Sequence, residues 1–222
     1  MSDVNLQGSF GGQGGSSLSF RNILINGEVT RINQRGFDGN WAGLSTGEYG
    51  YDRWKKADAS NISQIVEEGN FIPDAEYVLS GTNVTTQVVT APSSGNWTIT
   101  VPNTASYVQL ERGSVASPFE HRPYGLELSL CQRYYFKAGY YICPAIRNYG
   151  FWTFEFPVAM RAQPSVAGGT IRYSVNGGSY VDFSIIIAGF NGTNMQVRTD
   201  STFAYDADVL VNLNDIKFEA EL

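Results

Sequence analysis

The sequence predicts an all-β protein built from β-sandwiches, and two of its features support that fold class. The first is residue usage. Aromatic residues make up 14% of the 222 residues and charged residues only 16%, whereas helix surfaces need charged, straight-chain residues and strands favour aromatic and β-branched ones. The second feature is alternation. Short runs in which apolar and polar residues alternate recur between Gly, Pro and Asn residues, as expected for half-buried strands.

The elements follow in order along the chain. Residues 1–20 form a Gly/Ser-rich arm with too few apolar side chains to build a core. Residues 21–123 are predicted to form the first β-sandwich. Its apolar positions alternate at Ile23 and Ile25, at Trp97, Ile99 and Val101, and at Val108 and Leu110.

One helix is predicted between two β regions. Leu126, Leu130 and Tyr134 recur every four residues within Tyr124–Phe136, which is a helical period, so residues 124–137 are assigned to a linking helix. Residues 138–222 return to alternation and are predicted to form a second β-sandwich. In this range Asn176-Gly177 predicts a hairpin, and the alternation of Ile216–Leu222 predicts that the last residues are structural.

Composition argues against several classes of function. The net charge is −6 and the pI is about 4.8, whereas a nucleic-acid partner calls for a concentrated Lys/Arg face. No run of 18 apolar residues predicts insertion into a membrane, and Met1–Val4 does not begin a secretory signal. Cys131 and Cys143 lack metal-ligand spacing. They are either reduced thiols or a disulfide.

Catalytic motifs are also missing from the sequence. The single histidine, His121, stands beside Glu120, which favours an ion-paired or capping role over that of a catalytic base. Asp206 and Asp208 are too few carboxylates for a Ca²⁺ site. We therefore expect no cofactor, no metal and no enzymatic activity.

Three stretches resemble proteins of bacteriophage tail fibres. The first combines Asn26-Gly27, Arg31–Gly36 (RINQRG) and Tyr51–Trp54 (YDRW), and it is similar to the opening of tail-fibre and tail-collar-associated proteins. The second, Val108–Gly125 (VQLERGSVASPFEHRPYG) with its continuation to Tyr135, resembles the segment that closes their carbohydrate-binding-like jelly roll. The third, Phe156–Val166 (FPVAMRAQPSV), looks like the start of their C-terminal tip domain.

This resemblance implies a receptor-binding protein of the phage virion, carried on a tail fibre or other surface appendage and commonly a homotrimer. It implies a jelly-roll-like sandwich over residues 21–123 and a β tip domain over residues 138–222. One of these domains would bind a host cell-surface glycan, and the arm of residues 1–20 would attach the fibre to other tail or baseplate proteins.

Two clusters combine aromatic and polar residues and are candidate sugar sites, because pyranose rings stack on aromatic faces while polar groups bind the hydroxyls. The candidate ligand-binding residues are Trp41, Tyr49, Tyr51 and Arg53 in the first cluster and Tyr141, Arg147 and Trp152 in the second. A structural interpretation is open for both clusters. Core packing would explain the first, and a trimer contact would explain the second.

Three functions are compatible with these observations. The first is non-catalytic adhesion of a phage particle to a host glycan. The second is a structural role as a head-decoration or tail-assembly subunit, and the third is a small glycan hydrolase. An adhesin leaves aromatic side chains in an open groove, an assembly subunit buries them between chains, and a hydrolase needs two opposed carboxylates.

Overall fold

The computed structural model describes residues 20–138, 141–144, 151–166, 170–174, 181–183, 185–199, 210–214 and 216–222. For strand residues 141–144, 151–152, 170–174, 181–183, 185, 199 and 210–214, it describes the backbone alone. Throughout these ranges the chain is mostly β, and the strand pairs are antiparallel. The all-β, sandwich-like fold class is confirmed.

The first half of the chain contains two three-stranded sheets, with strand orders β1-β2-β5 and β4-β3-β6. Their strands are β1 (Lys55–Lys56), β2 (Asn61–Val66), β3 (Glu76–Thr82), β4 (Gln87–Thr90), β5 (Trp97–Pro102) and β6 (Ser106–Arg112). Both sheets contribute buried side chains to one apolar cluster, for example Ile62 and Ile99 from the first and Tyr77 and Leu110 from the second.

Helix α1 (Tyr124–Gln132) precedes the second half of the chain. The strands described there are β7 (Tyr135–Lys137), β8 (Tyr141–Pro144), β9 (Phe151–Glu155), β10 (Ser165–Val166), β11 (Thr170–Ser174), β12 (Val181–Phe183), β13 (Ile185–Phe190), β14 (Asn194–Thr199), β15 (Leu210–Asn214) and β16 (Lys217–Glu219). They form sheets of order β10-β16-β7, β12-β11-β15-β8 and β13-β14-β9. A second apolar cluster includes Phe154, Met195 and Phe218.

Alternation predicts the burial of β5 and of the last strand correctly. In β5, Ile99 and Val101 are buried and Thr98 and Thr100 are exposed. At Ile23 and Ile25 the prediction of a strand is wrong. There the inward positions are held by Asn22, Leu24 and Asn26, because the Asn22 carboxamide takes the place of a strand partner and accepts hydrogen bonds from the N–H groups of Leu24 and Leu110.

The helix is shorter than predicted. It ends at Gln132, and Tyr135–Lys137 leaves the predicted range 124–137 to form β7. The physical reason is tertiary pairing. Phe136 lies opposite Phe218 in the β7–β16 ladder, and aromatic residues favour strands wherever a partner is present.

Two predictions concern residues outside the described ranges. The arm of residues 1–20 is described only at Phe20, and the Asn176-Gly177 turn is not described. The strands on either side of that turn, β11 and β12, are antiparallel neighbours with Tyr173 opposite Val181.

Candidate functional site

The aromatic residues predicted as a sugar site around residues 37–54 belong mostly to the core. Trp41 lies in the short 3-10 helix Trp41–Gly43 and is only 8% exposed. Its ring centroid is 4.7 Å from that of Phe37 and 5.9 Å from that of Tyr51. Of the two interpretations left open for Trp41, core packing agrees with its burial, because the helical turn places its ring over Gly50, where a Cβ would come within 2.6 Å of it.

Arg53 is buried and holds the C-terminal segment of the chain against the first half. Its guanidinium forms an ion pair with Glu221, donates 2.7 Å to the carbonyl of Ile65 and lies 3.5 Å from the ring centroid of Tyr134. Burial is the largest influence on the pKa of Arg53 and lowers it, but Glu221, Tyr134 and Tyr49 together outweigh burial, and the pKa is raised. These contacts agree with the structural interpretation of Arg53.

Tyr49 also contacts the C-terminal segment. Its hydroxyl donates 3.1 Å to the main-chain oxygen of Leu222, and burial, assisted by the charge of Glu221, raises its pKa far above the ordinary value. The guanidinium carbon of Arg35 lies 4.8 Å from the ring centroid of Tyr49 and 4.0 Å from that of Tyr135. Both the hydroxyl and the ring of Tyr49 thus contact other residues of the protein.

The second predicted cluster falls largely outside what is described. Tyr141 lies in β8 opposite Leu213 and Trp152 lies in β9 opposite Val197, but their side chains are not described. Arg147 lies outside the described residues. The prediction that these three residues bind a ligand stays a prediction.

The Asn-Gly pair of the first phage-like motif is a structural centre. Asn26 has a positive φ of 55°. The nitrogen of its side-chain carboxamide donates to the carbonyls of Val29, Ile32 and Asp52 at 2.8, 3.0 and 3.0 Å. At Gly27 a Cβ would lie 2.5 Å from the carbonyl oxygen of Val108. The motif therefore specifies a packed turn rather than a ligand site.

The closing segment of the first sandwich connects to this turn through buried charges. Arg122 donates to the carbonyls of Asn22 and Leu24 and pairs at 3.2 Å with Glu127 of α1. Glu127 in turn accepts a hydrogen bond from the N–H of Asn26. The residues that carry the resemblance thus fasten the helix to the sandwich.

A groove of about 380 Å³ opens beside residues 20–25, a volume within the usual range for ligand sites. The groove is lined by Phe20, Arg21, Asn22, Ile23, Ile25, Gly69, Asn70, Phe71, Ile72, Tyr77, Glu111, Arg112, Arg122, Leu130 and Arg133. The apolar residues that line it differ in exposure: Tyr77 is 3% exposed and Ile72 is 46% exposed. The groove therefore offers both a packed base and an accessible apolar surface.

Arginines give the groove a positive edge. Arg21 is exposed and donates 2.6 Å to the hydroxyl of Ser117. Neither Arg112 nor Arg133 forms an ion pair with a carboxylate among the described residues. In a chain of net charge −6, two guanidiniums that pair with no carboxylate in the described part of the chain and lie beside one groove favour an anionic ligand.

The carboxylate in the groove lining, Glu111, is already hydrogen-bonded within the protein. It accepts from the N–H and the hydroxyl of Ser117, both at 2.6 Å, and from Gln109 at 2.8 Å. Burial opposes its ionisation, but these hydrogen bonds hold its pKa below the usual range. Glu111 is therefore suited to shaping the wall of the groove.

The described ranges contain neither a cluster of metal ligands nor a membrane-spanning helix. There, no three His, Cys, Asp or Glu side chains cluster closely enough to hold a metal ion, and no described helix is long and apolar enough to cross a membrane. Cys131 is free and fully buried, and burial raises the pKa of its thiol well above the ordinary value.

The groove is missed by sequence reasoning because four separate stretches build it, within residues 20–25, 69–77, 111–112 and 122–133. Only Gly69–Ile72 carries a local signal, since it places the apolar residues Phe71 and Ile72 in a turn-rich loop. Arg112 and Arg133 are 21 positions apart in the sequence, and only the fold places them beside the same groove. No pattern within one segment predicts such a combination.

Comparisons with protein-family models, with curated proteins and with solved structures find no match to this chain. The similarity to phage tail-fibre proteins therefore depends on the three sequence motifs, while the groove depends on the geometry described above.

Proposed function

We propose that this chain is a non-catalytic adhesin of a bacteriophage particle and that it binds an acidic host-surface glycan in the groove. The observation that carries the proposal is the combination of an accessible apolar surface with two arginines, Arg112 and Arg133, that form no ion pair with a carboxylate among the described residues. The phage-like motifs support the virion context, and the sandwich-like fold is compatible with it.

The chemistry of the groove suits an acidic sugar. Phe20 and Ile72 present apolar surface to the C–H faces of a pyranose, and Arg112 and Arg133 present guanidiniums to its carboxylate. A guanidinium binds a planar carboxylate through two parallel hydrogen bonds. A single such site is weak, so several copies on one particle would provide the avidity.

A structural virion subunit is the second candidate. Outside the groove, Val115 is 81% exposed and Tyr124 is 55% exposed, and in a structural subunit a neighbouring chain would cover these side chains. Glycan hydrolysis receives no comparable support. It needs two opposed carboxylates, whereas the described lining of the groove contributes Glu111 alone.

Binding of the purified protein to intact host cells separates adhesion from assembly. We expect saturable binding that soluble polysaccharide extracted from the same cells inhibits. A folded protein that binds neither the cells nor the polysaccharide would overturn adhesion and favour the structural role. Release of reducing sugar from the polysaccharide would instead show that the protein is a hydrolase.

A further inference from the structure

A β-bulge interrupts the pairing of β3 with β6. Ser80 lies opposite Gln109 and Thr82 lies opposite Ser106, so Gly81 faces two residues, Tyr107 and Val108. Tyr107 adopts a positive φ of 53°. Asn and Gly enter this region at low cost, whereas a bulky aromatic residue there is an outlier. Bulges and such strained residues occur preferentially where they aim a side chain at a binding site.

The bulge aims Tyr107 outward, onto two other aromatic side chains. Tyr107 is 44% exposed as a residue, and the centroid of its ring is 5.4 Å from that of Phe119 and 6.0 Å from that of His121. The interplanar angles among the three rings are 78°, 70° and 79°. These nearly perpendicular rings form the walls of a corner, which we call the aromatic corner.

The aromatic corner has a fixed base and a polar edge. Phe119 rests on Gly27, where a Cβ would come within 3.1 Å of the ring. Glu28 lies 3.3 Å from the His121 ring nitrogen and 2.5 Å from the Arg31 guanidinium. The side chain of His121 is 66% exposed, and those of Glu28 and Arg31 are 23% and 26% exposed. The edge therefore combines hydrogen-bond donors and acceptors, and the charge of Glu28 is balanced by Arg31.

We propose that the aromatic corner is a second binding site, distinct from the groove, which accepts one neutral hexose unit. Aromatic faces match the C–H side of a hexose, and paired donors and acceptors match its hydroxyls. An anion would meet Glu28 and a cation would meet Arg31, so a neutral sugar fits the edge better than either. This site does not depend on binding in the groove.

Tyr107→Asn is the informative variant because it removes the ring and suits the positive φ. The probes are methyl β-D-galactoside and methyl β-D-glucoside, observed by saturation-transfer difference NMR on the full chain. We expect signal from at least one probe with the wild type and a loss of at least tenfold in affinity with Tyr107→Asn. The thermal midpoint should stay at or above the wild-type value. Tyr124→Ala removes another exposed tyrosine and should leave the signal unchanged, as should Arg112→Ala in the groove.

Three results would overturn the proposal. One is no signal from either neutral probe with folded wild-type protein. Another is a lower thermal midpoint with unchanged probe binding in Tyr107→Asn, which would make the ring structural. The third is self-association that Tyr107→Asn abolishes without any sugar signal, which would make the corner a contact between copies. Loss of acidic-glycan binding in Arg112→Ala bears on the groove alone, so the two proposals can fail separately.

Discussion

At the scale of single residues, Asp52 shows how burial sets the chemistry of a motif side chain. Its carboxylate accepts 2.6 Å from the N–H of Gln34 and 3.4 Å from that residue's amide nitrogen. Burial nevertheless raises the pKa of Asp52 to about 6, against 3.8 for the free side chain. The folded state therefore holds its proton more tightly than the unfolded state does.

The free energy of unfolding should depend on pH through the protonation of Asp52. Its favourable contribution is fully present below about pH 4 and is lost as the pH rises through about 6, a change of about 3 kcal/mol at roughly 1.4 kcal/mol per pKa unit. Asp52→Asn keeps an acceptor for Gln34 and removes the titration. Urea unfolding at pH 5 and pH 8 should therefore show a smaller loss of stability for the variant than for the wild type. Identical pH profiles would contradict this account of Asp52.

At the scale of elements, apolar–polar alternation predicts the buried side chains correctly where a strand has one solvent-exposed and one buried face. It gives the correct inward residues in β5 and at Ile216 and Phe218. It fails at Ile23, because the Asn22 carboxamide accepts the hydrogen bonds of the Leu24 and Leu110 N–H groups in place of a backbone carbonyl. It also places the end of α1 too late, because Tyr135 pairs with β16. Both failures arise from long-range hydrogen bonds, which local sequence does not encode.

A substitution at Phe218 tests how much β16 contributes to the stability of the second apolar cluster. Its side chain is fully buried and contacts the rings of Phe154 and Phe156, each at a centroid distance of 5.1 Å. Phe218→Ala should lower the free energy of unfolding by about 3–5 kcal/mol. The neighbouring Lys217→Ala should change it by no more than about 0.5 kcal/mol. Equal effects of the two variants in chemical denaturation would show that β16 does not anchor the second core.

At the scale of the whole molecule, buried and half-buried ion pairs join the two halves of the chain. Arg53 of the first half pairs with Glu221, Arg35 pairs with Glu219 at 2.8 Å, and Arg161 pairs with Glu67. Arg35 also pairs with Glu221 at 3.3 Å, across a separation of 186 residues in the sequence. The C-terminal segment is therefore part of the packing of both halves.

The Arg53–Glu221 pair should behave as a coupled unit. Glu221→Gln leaves a buried guanidinium without its counter-charge and should cost about 3–5 kcal/mol, whereas the double variant Arg53→Met with Glu221→Leu should recover much of that loss. A double-mutant cycle in urea, completed by the matching single variants, measures the coupling. Additive effects would mean that the pair does not join the two halves.

The sequence is more informative about the framework than about the site. Motif residues such as Asn26 and Arg122 are identifiable because a packed turn and a buried ion pair each demand one residue type. The groove demands only apolar side chains and positive charge, which many residues supply. Its members come from separate segments, so their proximity is visible only in the fold.

The affinity of the full chain for extracted host polysaccharide tests whether the arginines of the groove bind an acidic glycan. We expect Arg112→Ala and Arg133→Ala each to weaken binding by tenfold or more, at about 1.5–3 kcal/mol per charge-assisted hydrogen bond lost. Chemical reduction of the sugar carboxylates should weaken wild-type binding similarly, and the control Lys217→Ala should bind normally. Undiminished binding by both arginine variants, or to the reduced polysaccharide, would contradict the account.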